Sequence, residues 1–507
     1  MRSRVWRRLA LIAAVCAATG CSSSPTATTP LPTDEPTIGA LPLPAPPPLT
    51  LPAVPPLSFR PCSGVSGLQC ATMNVPLDYA DPSASTISIA VARLPALDGS
   101  AQGSIVVNPG GPGEPGTDFL NEAATEFAGL RASFNIVSFD PRGTGQSDAA
   151  HCLSGPDLDQ YYSADPIANT AQSERTLVAL SQRFAAGCLA RTGRTLLFLG
   201  TQYTARDLEE LRRGLGAAPL TYLGLSYGTF LGETYASLYP NNVRAMVLDG
   251  VENPTIPLLP ASEDQATAFE HDLADFETDC AQGCGFQRSP AATIAGVLAQ
   301  AARAPLLVNG RALTRAEAIT GIITYLYEPA EDRDVEQALA NAINQAASGN
   351  GDLLLSSADD YVGRRSNGTY APLAEANMAI ACADGSVPTD LSTYVAEAQR
   401  MNAIDPHFGA GTVWGALVCA YWPFHAQPPS FHTVQTAPLL FVGATGDPAT
   451  PYKWALGAVP FFPGSVLLTR DGDGHVSFGK SACADSYEQA YLVKLMLPRT
   501  GTTCPTN

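Results

Sequence analysis

The sequence predicts an open, doubly wound α/β fold with a mostly parallel sheet and an inserted helical cap. Short apolar runs end abruptly in glycine, proline or aspartate, and helical patterns lie between several of them. Runs without polar alternation are typical of strands covered on both faces, and their alternation with helices indicates a parallel sheet. Between about residues 256 and 410 the composition changes to alanine-rich helical segments. We expect ligands at the carboxyl ends of the strands.

Six runs carry the strand pattern. They are GSIVVNPGGPG (103–113), FNIVSFDPRGTG (134–145), LTYLGLSYG (220–228), VRAMVLDG (243–250), APLLFVGATGD (437–447) and GSVLLTRDGDGH (464–475). ARDLEELRRGLG and GTFLGETYASLYP, which flank the third run, have helical patterns. These elements divide the sheet domain into a first part over 59–255 and a C-terminal part over 411–507.

The helical insertion is predicted over 256–410, and Thr314 with Glu317 forms a capping box at the start of one of its helices. The insertion follows a strand that ends at Asp249, so it emerges on the edge where ligands bind. We therefore expect a cap over the site. A separate packing domain without substrate contact is the alternative.

The N-terminus has the pattern of an export signal. Four arginines precede an apolar stretch from Leu9 to Ala18, which is too short to span a membrane. Ala18-Thr19-Gly20-Cys21 resembles a lipobox, which predicts a lipoprotein signal over 1–21 and lipidation of Cys21. An ordinary secretory signal is the alternative. Residues 22–58 contain twelve prolines and indicate an extended tether. We expect an envelope protein anchored by lipid alone to the outer face of the cytoplasmic membrane.

The formal charge is −18, and such an acidic body is a poor partner for nucleic acid. Besides Cys16 and Cys21 there are ten cysteines, an even number that predicts disulfides in an exported protein. Clustered Cys/His spacing is absent, so no metal site and no cofactor are expected. The order along the chain suggests neighbour pairs: Cys62 with Cys70, Cys152 with Cys188, Cys280 with Cys284, Cys382 with Cys419, and Cys483 with Cys504.

Ser226 lies between a strand pattern and a helical pattern in Gly224-Leu225-Ser226-Tyr227-Gly228. This arrangement predicts a nucleophile elbow, with the strand ending at about Leu225 and the helix starting at about Tyr227. The two glycines leave room for a strained backbone around the serine. The pattern alone is weak in a glycine-rich chain, and its strand-to-helix context strengthens it. The alternative is a surface turn.

A serine nucleophile needs a base, and the base needs an acid that holds its tautomer. His475 is the histidine beyond the last predicted strand, and Asp447 directly follows a strand, so we assign base and acid to them. Asp249 is the alternative acid. Thr450 is expected to support Asp447 or to cap a helix that starts at Pro451. Four other candidates are interpreted as turn, loop or packing residues: Asp471, Asp473, His425 and His432.

An oxyanion hole needs two backbone N–H donors. The residue after the nucleophile, Tyr227, supplies one, and the glycine-rich loop Asn108–Gly113 is predicted to supply the other, from Gly111 or else Gly110. A plain tight turn is the alternative for this loop. DPRGTGQSD (140–148) lacks the lysine of a phosphate-binding loop and is interpreted as a turn beside the active site.

Several motifs occur in one order: NPGGPG, FDPRGTGQS, YLGLSYGTFLGETYASLYPNNVRAMVLDGV, CAYWP (419–423) and GATGDPATPYKWA. Together they resemble the exported α/β-hydrolases of actinobacteria, which comprise the Streptomyces tripeptidyl aminopeptidases and mycobacterial cell-envelope serine hydrolases with a TAP-like C-terminal region. The resemblance covers about 60–507. It implies an α/β-hydrolase fold with Ser226 as nucleophile, Asp447 as acid, His475 as base and Thr450 beside them. The segment DGDGHVS around His475 departs from the family's motif. This affects the predicted path of the loop and not the assignment of the histidine.

The resemblance implies removal of N-terminal peptides, with tripeptides as the expected products, from a peptide substrate. Hydrolysis of small esters with the same residues is the alternative. An aminopeptidase must also bind a free ammonium group, for which Glu252 is a candidate by position. A non-catalytic binding protein on the same scaffold is the third hypothesis, and the presence of all three candidate residues and the glycine loop speaks against it.

Overall fold

A computed structural model describes residues 54–328, 332–385, 387–424 and 431–506. The predicted leader over 1–21, the lipidation at Cys21, most of the tether and His425 lie outside the described residues. Within these ranges, none of the helices is long and apolar enough to cross a membrane.

In the part of the chain that the structure describes, ten strands form one sheet. They are β1 (Arg60–Pro61), β2 (Gln69–Pro76), β3 (Thr86–Leu94), β4 (Ser104–Asn108), β5 (Asn135–Phe139), β6 (Leu220–Leu225), β7 (Val243–Asp249), β10 (Leu440–Gly446), β11 (Val466–Asp473) and β12 (Thr503–Cys504), and a separate hairpin contains β8 (Leu306–Val308) and β9 (Arg311–Leu313). The spatial order is β1-β2-β3-β5-β4-β6-β7-β10-β11-β12. All pairs from β5 to β12 are parallel, so the predicted parallel sheet and its six strands are confirmed.

The sequence pattern did not reveal the antiparallel edge formed by β1, β2 and β3. Strand β3 alternates buried and exposed residues over most of its length, because one of its faces is open to solvent. A continuous apolar run predicts a strand that is covered on both faces, and a strand with one open face does not contain such a run.

Sixteen α-helices accompany the strands in the described residues. They are α1 (Gly116–Glu122), α2 (Ala128–Arg131), α3 (Gly155–Tyr162), α4 (Ala171–Thr192), α5 (Thr201–Gly214), α6 (Tyr227–Leu238), α7 (Leu258–Asp279), α8 (Pro290–Arg303), α9 (Arg315–Leu326), α10 (Arg333–Ala347), α11 (Asp352–Tyr361), α12 (Leu373–Asp384), α13 (Leu391–Ile404), α14 (Gly409–Ala420), α15 (Tyr452–Ala458) and α16 (Ala482–Lys494). The capping box of Thr314 and Glu317 at the start of α9 is confirmed.

The helical block between β7 and β10 runs from α7 to α14, and α14 continues past residue 410 to Ala420. Its hydrophobic core also includes Leu177 and Phe184 of α4, packed in one cluster with Ile322 and Trp414. The cap is therefore built from two chain segments. The sequence did not identify the segment that contains α4 as part of the cap, because a helix between β5 and β6 is also expected in an ordinary crossover connection.

Five disulfides join the cysteines in the neighbour order. They are Cys62–Cys70, Cys152–Cys188, Cys280–Cys284, Cys382–Cys419 and Cys483–Cys504. Cys280–Cys284 and Cys382–Cys419 lie within the helical block between β7 and β10, and the second of them ties α12 to α14.

The DPRGTGQSD segment is anchored by a buried ion pair. Arg142 donates to both carboxylate oxygens of Asp207 at 2.6 and 2.7 Å, and neither side chain is exposed. The guanidinium also donates to the carbonyls of Pro76 and Leu77, and Tyr79 Oη donates to Asp207 at 2.7 Å. This network fixes the turn after β5 to the end of β2 and to α5.

We expect Asp207→Ala to lower the free energy of unfolding by about 3–5 kcal/mol, because it leaves a buried guanidinium without its counter-charge. Denaturant unfolding with the disulfides intact measures the change. Arg333→Ala, which removes an exposed partner of Glu336, is the matched control and should cost less than about 1 kcal/mol. Equal losses in the two variants would contradict the interpretation.

Candidate active site

Ser226 occupies a sharp turn between β6 and α6, with backbone angles φ 56° and ψ −128°. A non-glycine residue in this region is strained and is held there by its surroundings. A Cβ at Gly224 would lie 2.3 Å from the carbonyl oxygen of Gly228, and a Cβ at Gly228 would lie 2.5 Å from that of Asn108. The two glycines are therefore required for the close approach of β6, α6 and the end of β4. The strand ends at Leu225 and the helix begins at Tyr227, as predicted.

Asp447 and His475 lie in contact at the ends of β10 and β11. His475 Nδ1 is 2.9 Å from Asp447 Oδ1 and 3.0 Å from Oδ2, and both side chains are almost completely buried. Burial raises the pKa of the Asp447 carboxyl, but the charge and hydrogen bond of His475 and the hydrogen bonds of Thr450 outweigh it and hold that pKa below its usual value. The carboxylate is thus kept ionised beside the imidazole.

Thr450 has the first of the two roles considered for it, support of Asp447; the capping role was wrong, because the helix begins at Tyr452 and no side chain caps it. Its amide donates to Asp447 Oδ1 at 2.8 Å and its hydroxyl donates to Oδ2 at 2.9 Å. It directly precedes Pro451, the N-cap of α15. Both oxygens of Asp447 are fixed by donors on Thr450, and the amide of Ala449 adds a third at 3.0 Å.

Asp249 is not in contact with the imidazole through its carboxylate, which instead holds the chain after His475. Its Oδ2 accepts the amides of Ser477 and Phe478, both at 2.7 Å, and its carbonyl accepts the amide of Ser226 at 2.9 Å. Burial raises its pKa to about 6 against the effect of these two amides. Asp249 therefore links the serine turn to the histidine loop.

The histidine loop is also held by Arg470, which donates to the carbonyls of Asp473 and Gly474 at 2.7 and 2.8 Å. Asp471 and Asp473, expected in a turn, are the last residues of β11, because the strand continues farther than the glycine-rich sequence suggested. His432 lies in an irregular segment before β10.

The cap contacts the same loop. The amide of His475 donates to the carbonyl of Tyr327 at 3.0 Å, and the two rings meet edge to face with centroids 5.6 Å apart. Lys480 Nζ donates to the carbonyls of both residues. Tyr327 directly follows α9, so the helical block takes part in fixing the imidazole.

Nε2 of His475 is buried and has no hydrogen-bond partner among the described residues, Ser226 included. The structure thus brings Asp447, Thr450 and His475 into direct contact and joins Ser226 to them through Asp249. A base-to-nucleophile hydrogen bond that is long without substrate commonly tightens in the substrate complex.

The loop Asn108–Gly113 lies directly against the serine turn. A Cβ at Gly110 would lie 2.8 Å from Ser226 Cβ and 3.0 Å from the amide nitrogen of Tyr227. The amide of Gly110 donates to Asn108 Oδ1 at 3.1 Å, which removes it as a free donor. The amides of Gly111 and Tyr227 have no such acceptor among the described residues. The pair available for an oxyanion is therefore Gly111 and Tyr227 rather than Gly110.

A cavity of ≈ 160 Å³ opens beside the serine turn. Pro112 and Tyr227 are among its lining residues, and much of the wall is apolar, with Phe230, Leu258 and Trp454 contributing to it. A substrate chain that reaches the serine can extend into this space.

Two carboxylates line the cavity, Glu252 after β7 and Asp384 at the end of α12. Burial raises the pKa of Glu252 to about 8, with a further increase from the charge of Asp384, and burial raises the pKa of Asp384 to about 7. Asp384 also accepts the amide and hydroxyl of Thr201 at 2.7 and 2.6 Å. From the sequence, Glu252 was a candidate for binding an ammonium group, but Asp384 was not. Asp384 lies in the cap, and no sequence spacing relates it to Glu252.

No group of three His, Cys, Asp or Glu side chains in the described ranges is arranged to hold a metal ion. The chemistry available here is that of a serine hydroxyl, a histidine with an ionised acid behind it, two backbone amides and an acidic cavity.

Comparison with known proteins gives consistent results. A model described as alpha/beta hydrolase fold matches residues 103–284, and one described as TAP-like protein matches residues 405–504. Serine protease Hip1 of Mycobacterium tuberculosis is 33% identical, with 86% of this chain and 87% of Hip1 covered. Carboxylesterase B of the same species is 33% identical, with 87% of each chain covered, and tripeptidyl aminopeptidase of Streptomyces lividans is 31% identical, with 86% and 83% covered.

Proposed function

The chain belongs to the α/β-hydrolase family with a TAP-like C-terminal region, and on that premise we propose that it removes short N-terminal peptides, chiefly tripeptides, from peptide substrates. Membership makes it a serine hydrolase. The observation that carries the peptide assignment is the cavity beside Ser226 with its two half-buried carboxylates, since a free peptide amino terminus is a cation that needs such partners.

In the proposed reaction, Ser226 Oγ attacks the carbonyl carbon of the scissile bond while His475 Nε2 takes the hydroxyl proton. Asp447 holds the proton on Nδ1 and stabilises the imidazolium. The oxyanion is bound by the amides of Gly111 and Tyr227. His475 then gives the proton to the leaving amine, and water releases the N-terminal peptide from the acyl enzyme.

Glu252 and Asp384 are proposed to bind the substrate's α-ammonium group. Their raised pKa values mean that both carboxyls carry protons for part of the time near neutral pH in the empty site. An ammonium ion favours the ionised forms, so its binding releases protons. The apolar wall around them would contact the side chains of the bound peptide.

We expect kcat/KM for a free-amine tripeptide to rise with pH through about 7 and 8, as Asp384 and Glu252 lose their protons. An N-acetylated twin lacks the cation and should not show this dependence. Asp384→Asn and Glu252→Gln should each lower kcat/KM for the free-amine peptide by about 10- to 100-fold, because a hydrogen bond to a charged group contributes about 1.5–3 kcal/mol. Identical pH profiles for the two peptides would contradict the assignment.

The general experiment is release of a dye from a free-amine tripeptide, from its N-blocked twin and from a short acyl ester. Preference for the free amine supports the aminopeptidase proposal. Equal rates on free and blocked peptides would overturn it.

Ester hydrolysis is the second candidate, and the apolar part of the cavity wall favours it. An acyl chain would bury itself against such residues without a charge to pair. Carboxylesterase B among the relatives is consistent with it. A fast ester and two slow peptides would identify this activity.

We also propose export and lipid anchoring through Cys21, with the proline-rich segment as tether. The basic and apolar leader and the lipobox-like Ala18-Thr19-Gly20-Cys21 support this. The five disulfides support an oxidising compartment. Loss of membrane association in a Cys21→Ala variant is the test.

A further inference from the structure

One cap side chain reaches the glycine-rich loop. Asn377 on α12 is buried, with 2% of its surface exposed, and its Nδ2 donates to the carbonyl of Gly111 at 2.8 Å. The two residues are 266 positions apart in the chain. This hydrogen bond joins the helical cap to the residue whose amide is proposed to bind the oxyanion.

The loop is enclosed between α12 and the serine turn. A Cβ at Gly113 would lie 2.8 Å from the amide nitrogen of Asn377 and 2.9 Å from the carbonyl oxygen of Leu373, so the main chain of the loop rests on the helix. A Cβ at Gly110 would lie 2.5 Å from the carbonyl oxygen of Leu225 and 2.8 Å from Ser226 Cβ, so the loop also rests on the serine turn. Movement of α12 would therefore be transmitted to the loop.

Helix α12 is itself firmly attached. Glu375 Oε1 accepts the amides of Cys152 and Leu153 at 2.6 and 2.7 Å, and the disulfide Cys382–Cys419 fixes the far end of the helix to α14. Side chains on such an anchored element hold their targets more accurately than side chains on loops.

Gly111 needs an external support of this kind. It has a positive φ of 106° and no side chain that restricts its backbone. An oxyanion donor is effective when its direction is set before the reaction, at about 2.7–3.1 Å from the developing charge. The carbonyl and the N–H of Gly111 lie in the two peptide planes that meet at its Cα, so a hydrogen bond that fixes the carbonyl limits the rotation about that Cα by which the N–H would turn away.

We propose that Asn377 is a positioning residue of the oxyanion hole, which holds Gly111 in the orientation that stabilises the transition state. The cap thereby contributes to the chemical step as well as covering the substrate. This inference rests on the proposed function, in which the Gly111 amide binds the oxyanion.

The test uses Asn377→Leu, which keeps a similar volume without a donor, and Asn377→Ala. Asn341→Ala, on an exposed position of cap helix α10, is the control. Active enzyme is counted by titration with a fluorophosphonate, and kcat and KM are measured per titrated site. A tripeptide aldehyde, whose hemiacetal oxygen occupies the oxyanion hole, reports the affinity for a tetrahedral adduct.

We expect kcat per active site to fall by about 10- to 100-fold in both Asn377 variants. This loss should not exceed that caused by removal of an oxyanion-hole donor itself. The aldehyde should bind more weakly by the same factor, while KM stays within about twofold and the control is unchanged. A structural role alone would lower the number of titrated sites and leave kcat per site and aldehyde affinity unaltered.

Unchanged kcat per site, or a reduced kcat with full aldehyde affinity, would overturn the inference. The alanine variant, which adds no new contact, decides the result if the leucine variant does not fold. Failure of the proposed function has a different signature, since the wild-type protein itself would then fail to hydrolyse the free-amine tripeptide, before any Asn377 variant is compared with it.

Discussion

Replacement of Ser226 by alanine is expected to abolish hydrolysis, with a fall in kcat of about 10⁵- to 10⁶-fold. The variant cannot form an acyl enzyme, and water must attack the substrate directly with help only from the oxyanion donors and the bound geometry. Loss of fluorophosphonate labelling should accompany the loss of activity. Initial rates on the free-amine tripeptide and on the short ester measure the effect.

Ser237→Ala is a matched control, because it removes a hydroxyl from the same helix, α6, at its opposite end. It should retain labelling and near-normal rates. The thermal unfolding of both variants should resemble that of the unchanged protein. Substantial peptide hydrolysis by the Ser226 variant would remove the hydroxyl from its proposed role.

The sheet was accessible to sequence analysis because a strand buried on both faces has a distinctive composition. Strands β4 to β7 and β10 are such runs over most of their length, whereas β11 alternates buried with half-buried or exposed residues. The turn at Ser226 follows from two glycines placed around a serine. In each case the signal is local, and local sequence decides the local structure.

Signals that arise only from tertiary contact were missed. Asp384 and Asn377 are polar residues in an alanine-rich helix, and nothing near them in the sequence shows that α12 lies over the glycine loop. The same holds for α4, whose place in the cap depends on packing against α14. Packing between residues that are far apart in the sequence places these side chains, and no fixed sequence spacing indicates such packing.

Asp447→Asn is expected to lower kcat by about 10,000-fold at neutral pH while leaving KM nearly unchanged. The hydrogen bonds that the Asp447 carboxylate accepts explain this loss. Oδ1 accepts the amides of Ala449 and Thr450, so the amide oxygen of the new side chain must occupy that position. Its NH2 group then takes the place of Oδ2 and points a donor at His475 Nδ1. This donor opposes a proton on Nδ1, and an imidazole with its proton on Nε2 does not accept one from Ser226.

Asp249→Asn provides the comparison, because Asp249 is an equally buried carboxylate that sequence analysis kept as the alternative acid. Its Oδ2 accepts the amides of Ser477 and Phe478, and the oxygen of an asparagine can accept both in the same way. Its Oδ1 has no hydrogen-bond partner among the described residues, so an NH2 group there displaces none. The loss in kcat should stay below about tenfold, since only the strength of two hydrogen bonds changes. A reversed order, with the larger loss in the Asp249 variant, would assign the acid to the end of β7 and would require the histidine loop to rearrange when substrate binds.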